Sequence, residues 1–113
     1  MAETSPRLSI VVTSYTTERL EDIFELLDSV RGQSYRDLEL VFVAERSQEL
    51  RERVDSYTKQ RSMANAKIVF NNGPGGLSAS RNVGVREASG DIIAFADDDV
   101  VLFPDWAEEM VNT

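Results

Sequence analysis

The sequence contains no cysteine and no histidine. Those absences exclude disulfides, thiolate nucleophiles, Cys/His zinc sites and an imidazole base. A bound metal must therefore rest on oxygen ligands, a donor set that suits Mg²⁺ or Mn²⁺. Lysine is scarce as well, with Lys59 and Lys67 the only two among 12 basic residues. No apolar run approaches the roughly 18 to 20 residues needed to span a bilayer, so no membrane segment is expected in this chain. The opening Met1-Ala2-Glu3-Thr4-Ser5-Pro6 lacks the basic and apolar regions of a signal peptide, which makes a cytoplasmic address the expectation.

Positive charge is the next deficit. Twenty acidic residues face 12 basic ones, giving a net charge of −8. A surface of that sign repels phosphate backbones, so no nucleic acid partner is expected. An acidic, lysine-poor surface also suits a protein of a salt-loving organism, and such a domain should lose structure in low salt. What remains is ordinary for a globular protein: 42% hydrophobic and 28% charged residues in 113. That length allows one domain with one core.

The chain alternates short apolar strands with amphipathic helices. Leu8 to Thr13 reads as a buried strand, being short, β-branched and bounded by polar residues. Leu20, Ile23, Phe24, Leu27 and Val30 form one stripe on a helix from about Glu18 to Arg31, with Gly32 as its C′ residue. Leu38 to Val43 is a second strand. A helix from about Ser47 to Ser62 follows, with Ser47 as N-cap and Leu50, Val54 and Tyr57 inward.

Ala66 to Phe70 is a third strand, and Asn71 to Gly76 has the composition of a loop. The third helix spans about Leu77 to Ala88, with Leu77, Arg81, Gly84, Val85 and Ala88 on its inner side. Asp91 to Ala96 reads as a strand covered on both faces, and a last helix begins near Asp105. This alternation predicts a three-layer α/β/α architecture around a mostly parallel, Rossmann-like sheet. Ligands of such sheets sit at the carboxyl ends of the strands. Thr13–Thr16, Ala44–Ser47, the 71–76 loop and Asp97-Asp98-Asp99 all fall there.

Three successive aspartates after a buried strand are the most informative feature. Alternation along an extended backbone sends Asp97 and Asp99 one way and Asp98 the other. Clustered carboxylates repel unless a cation or hydrogen-bond donors offset them. A divalent ion would do so and could bridge a diphosphate; a solvated turn capping the next helix is the plainer alternative. Glu45 could accept from a nucleobase edge, or simply favour a nearby helix N-terminus. The Gly73-Pro74-Gly75-Gly76 loop lacks the Walker pattern and reads as a connection. Arg81 needs a partner, either a phosphate or one of the aspartates. Tyr15 and Trp106 lie near the rim, where they could stack on a base or sugar or pack locally.

Several of these segments resemble the family 2 glycosyltransferases, which have the GT-A fold. Val11-Val12-Thr13-Ser14-Tyr15-Thr16 is similar to the family's Val-Ile-Pro-Thr-Tyr-Asn opening, with Thr13 in place of proline. Ser29 to Tyr35 resembles its Ser-Leu-x-x-Gln-x-Tyr segment, and Gly76 to Gly84 its Gly-x-x-x-Ala-Arg-Asn-x-Gly segment. Asp91 to Asp99 is similar to the strand carrying the metal-binding DxD motif. Where the family has Asp-Asp-Gly-Ser, this chain has Ala44-Glu45-Arg46-Ser47.

The resemblance implies that residues 1–113 are the nucleotide-sugar-binding part of one GT-A domain. It implies inverting transfer from a nucleotide-diphospho-sugar donor, with Mn²⁺ or Mg²⁺ held by Asp99 and Asp97. Thr13, Tyr15, Glu45, Arg81, Asp97 and Asp98 would line the donor nucleotide. The acceptor, a saccharide or a lipid-linked one, would be met by a further C-terminal part that also carries the catalytic base. A chain of this extent is then expected to bind donor weakly without turnover, and the full protein could work at the cytoplasmic face of a membrane. The alternative is a non-catalytic nucleotide- or carbohydrate-binding module with the same fold. A phosphoacceptor receiver domain fits poorly, because the first strand ends Thr13-Ser14-Tyr15 and the third Asn71-Asn72.

Overall fold

The structure is a computed structural model that describes residues 5–112. Met1 to Thr4, on which much of the signal-peptide reading rests, lie outside the described residues, as does Thr113. In chain order the elements are β1 (Leu8–Ser14), a 3₁₀ turn (Thr17–Arg19), α1 (Leu20–Arg31), β2 (Leu38–Glu45) and α2 (Gln48–Gln60). They continue with β3 (Ala66–Asn71), α3 (Leu77–Glu87), β4 (Ile92–Ala96) and α4 (Trp106–Asn112).

The four strands form one sheet in the order β3-β2-β1-β4, and every pairing is parallel. Leu8, Ile10 and Val12 of β1 share one core with Ile23, Leu26, Leu27 and Val30 of α1, Leu50 and Val54 of α2, and Ala107 of α4. The alternate residues Val11, Val41 and Val43 point the other way, towards Val83 and Ala88 on the α3 side. Helices thus cover both faces, and the expected three-layer α/β/α fold is the one observed.

Local chemistry accounts for most boundaries. Ser47 caps α2, its Oγ accepting from the Leu50 N–H at 3.1 Å. Between α1 and α2, the Phe24 and Tyr57 rings stack 4.0 Å apart, and the Tyr57 hydroxyl donates to Asp28. Three expectations are corrected. Gly32 closes α1 at φ −85, so the left-handed freedom of a C′ glycine goes unused there.

On α3 Gly84 is buried as expected, but its buried companion is Ser80, while Leu77 and Val85 are 55% and 38% exposed. The small residues win because that helix lies close on the sheet: a Cβ at Gly84 would overlap Val11 and press on Val43. Finally, β4 is not covered on both faces. It is one of the two edge strands, and Phe95 is 43% exposed.

Candidate functional site

The chain steps from β1 to β2 to β3 in one direction, then returns to place β4 on the other side of β1. Between β1 and β4 the strand order reverses, and ligands of open α/β sheets bind at that switch point, beyond the carboxyl ends. A cleft of about 570 Å³ opens there. It is lined by Thr13, Ser14, Tyr15 and Arg19 from the end of β1 and the turn after it, by Asp97, Asp98 and Asp99 after β4, and by Glu45, Gly76, Leu77 and Arg81. Thr13, Tyr15, Glu45, Arg81 and the three aspartates, singled out from the sequence, therefore border one cavity. A second cleft of about 410 Å³ lies at the opposite end of the strands, around Leu38 and Asn65, far from the aspartates in the fold.

The aspartates are not equivalent. Asp97 and Asp99 are exposed, whereas Asp98 is buried, with only 5% of its surface exposed. The Ser14 hydroxyl donates to Asp98 Oδ2 at 2.7 Å and Arg19 Nη1 donates to Oδ1 at 3.1 Å. That hydrogen bond, with the carboxylate's charge, holds the Arg19 guanidinium above its ordinary pKa. Arg81 Nη2 stands 4.0 Å from Asp97 Oδ1, and its guanidinium lies 4.8 Å over the Phe95 ring. Among the described residues, no group of three acidic side chains could hold a metal alone. With Asp98 turned inward, Asp97 and Asp99 are the acidic side chains of the run left facing the cleft.

Glu45 sits at the end of β2 with its Oε1 engaged, accepting from the Gly76 N–H and from the Ser80 hydroxyl, both at 2.8 Å. The carboxylate thereby caps α3, whose own N-cap, Gly76, has no side chain and adopts φ +105. Asn71 completes the corner: its amide donates to Pro74 O and Ser80 Oγ, and its Oδ1 accepts from the Gly73 N–H. Arg46, at φ 54, donates from Nε to Gly73 O. The 71–76 loop is thus pinned from β2 and β3 together.

The segment after the aspartates is held by Ser29 of α1 and by Gln33 just beyond its end. Ser29 Oγ accepts from the Leu102 N–H, Gln33 Nε2 donates to Phe103 O at 2.7 Å, and Gln33 Oε1 accepts from the Ala107 N–H at 2.8 Å. Trp106, just beyond, is half-buried and borders a hollow with Arg81 and Phe95, outside the main cleft. Tyr15, by contrast, is 62% exposed at the cleft mouth.

Residues 9–113 match the family model for glycosyl transferase family 2. The chain belongs to that family. A curated relative, the glucosyl-dolichyl phosphate glucuronosyltransferase of Haloferax volcanii, is 36% identical over 108 residues, covering 95% of this chain and 34% of the relative. Among solved structures, a mannosyltransferase from Pyrobaculum calidifontis, in complex with GDP-Man and Mn²⁺, superposes with a TM-score of 0.80 at 25% identity. That match covers 96% of this chain and 31% of the other. S. aureus TarS 1-349 in complex with UDP-GlcNAc gives 0.75 at 26% identity, covering 94% and 30%. The sheet is the Rossmann-like sheet of GT-A glycosyltransferases. This family 2 chain spans about a third of the length of the relatives it matches.

Arg19, Ser14 and Ser80 did not stand out from the sequence alone. Arg19 lies in a polar turn, and the two serines act through partners 84 and 35 residues away. A buried acid in the middle of the aspartate run was the available signal, since it demands donors.

Proposed function

We propose that the full protein is an inverting glycosyltransferase using a nucleotide-diphospho-sugar, and that residues 1–113 are its donor-binding part. The observation that supports this most is convergence. In a family 2 chain, Thr13, Tyr15, Arg81, Asp97 and Asp99 border one cleft at the strand-order reversal. Tyr15, exposed at the mouth, offers a face for the nucleobase, and Arg81 offers a planar cation for the phosphates. Glu45 has one oxygen committed to α3, leaving Oε2 for a base donor.

The donor chemistry fits a divalent cation. Asp97 and Asp99 supply exposed carboxylate oxygens, and the diphosphate and water would complete an oxygen shell around Mn²⁺ or Mg²⁺. The relative solved with GDP-Man and Mn²⁺ supports this reading. Bound there, the ion would supply Lewis-acid stabilisation of the leaving diphosphate. The residues of this chain bind and orient the donor. The acceptor, saccharide or lipid-linked, and the base that deprotonates it belong to a further part of the protein. Among the described residues no helix is long and apolar enough to cross a membrane, and we place the enzyme in the cytoplasm or at the cytoplasmic face of one. We also read the acidic, lysine-poor surface as adapted to high salt.

Titration with UDP and GDP, each with and without Mn²⁺ and followed by residue-resolved NMR, tests the proposal. Metal-dependent shifts at Tyr15, Glu45, Arg81, Asp97 and Asp99 are expected, and the tighter nucleotide identifies the donor class. A well-folded sample with no localised shifts at millimolar ligand would sink the donor-site assignment.

A further inference from the structure

The Asp98 carboxylate joins the two strands that flank the switch point. Ser14 ends β1, Arg19 ends the 3₁₀ turn before α1, and Asp98 lies in the turn after β4, 84 and 79 residues away. Ser14 and Arg19 each take one oxygen of a carboxylate that is almost fully buried. A buried charge left unpaired draws in water or turns outward, so this pairing decides which way Asp98 points. Asp97 and Asp99, on either side of this anchored residue in the turn, are exposed and border the cleft, so the anchor at Asp98 limits how far both can move. Arg19 itself remains 46% exposed in the cleft wall, so it bridges a buried group and the open site.

We infer that Arg19 is a positioning residue: paired with Asp98, it fixes the 97–99 turn so that Asp97 and Asp99 present together to a cation and the diphosphate it carries. Removing it frees Asp98 to swing into the cleft and loosens the turn. The affinity part of this inference rests on the donor-site reading; the ordering of the turn does not.

Arg19→Ala and Arg19→Lys are compared with the unaltered chain in two measurements. The first, without ligand, is ¹⁵N relaxation of the 97–100 backbone. Arg19→Ala should raise mobility there while the sheet core is unchanged, and Arg19→Lys, which keeps a cation for Asp98, should restore order. The second is Mn²⁺-dependent affinity for UDP and GDP. Arg19→Ala should weaken it roughly 10- to 100-fold, the usual effect of removing a group that orients a metal ligand, with Arg19→Lys recovering most of the loss.

Unchanged order at 97–100 in Arg19→Ala overturns the inference whatever the nucleotide result, and so does unchanged affinity in a chain that binds. Equal loss in the lysine variant overturns the charge-pair account. If the unaltered chain binds neither nucleotide, the donor reading fails, and the ligand-free measurement still decides the role of Arg19 in the turn.

Discussion

Glu39 places a charge inside the sheet. It lies on the α3 face of β2, 1% exposed, and accepts from the Ser9 hydroxyl at 2.6 Å, the Ser89 N–H at 2.8 Å and the Ser89 hydroxyl at 3.1 Å, with Lys67 Nζ at 2.8 Å. Burial pushes the carboxyl pKa up. Lys67, the Ser89 N–H and the two hydroxyls outweigh it and hold the pKa down to about 2, against an ordinary 4.5. The folded state therefore binds this proton later than the unfolded one. The contribution, about 3 kcal/mol, is complete above the unfolded value and falls away with acid, about 2 kcal/mol of it gone by pH 3.

Urea unfolding at pH 7 and pH 3 should show that loss, and Glu39→Gln should remove this part of the pH dependence. An unchanged pH slope in the variant would show that other carboxylates carry it. In the sequence Glu39 shows only as an acid inside an apolar strand, which implies donors nearby without naming them. Its donors come from positions 9, 67 and 89, which only the assembled sheet brings together.

At the level of elements, strand and helix positions were legible because their periods are strong. β1, β2 and α2 fall within two residues of expectation. α3 was legible in part: Gly84 and Ala88 lie on the sheet side as expected, but Ser80 and Val83 join them there in place of Leu77 and Val85, because the buried stripe is small and partly polar where large apolar residues normally signal the inside. Its first turn also lacks a local cap, and Glu45 provides one from β2. Glu45→Ala should destabilise the fold by about 1 kcal/mol, the usual size of a lost N-cap. Glu45→Gln, which still offers an oxygen to Gly76 and Ser80, should retain most of that. Thermal unfolding of the two variants checks the cap role; equal losses would refute it. The same comparison bears on the site, since a carboxylate that also reads a base would lose nucleotide preference in the glutamine variant.

Across the whole molecule, a net charge of −8 on 113 residues disfavours the compact state through self-repulsion at low ionic strength. Raising KCl from about 0.1 to about 2 M shortens the screening length from roughly 10 Å to under 3 Å. The melting temperature should rise over that range if the surface is salt-adapted, and a flat profile would reject that reading. The acidic run and an Arg81–aspartate pair were readable in the sequence; the pairing of Asp98 with Ser14 and Arg19 was not, because contacts across the switch point depend on which strands become neighbours.

That neighbourhood has a bearing on how the molecule is made. β1 finds β2 across 30 residues, Leu8 opposite Leu38, but meets β4 across 84, Leu8 opposite Ile92. Closing the longer loop costs about 1 kcal/mol more chain entropy, so the β1–β2–β3 ladder is favoured to assemble first and β4 to dock last. The Ser14–Asp98 hydrogen bond spans that same late contact. On this account the cleft does not exist in any partly folded chain, and nucleotide captured during refolding would appear only with the slowest phase. Stopped-flow refolding in the presence of nucleotide and Mn²⁺ would show it; capture before β4 protection would contradict it. A ligand that arrives at that seam would then act as a latch on the final step of folding, stabilising the least local contact in the sheet.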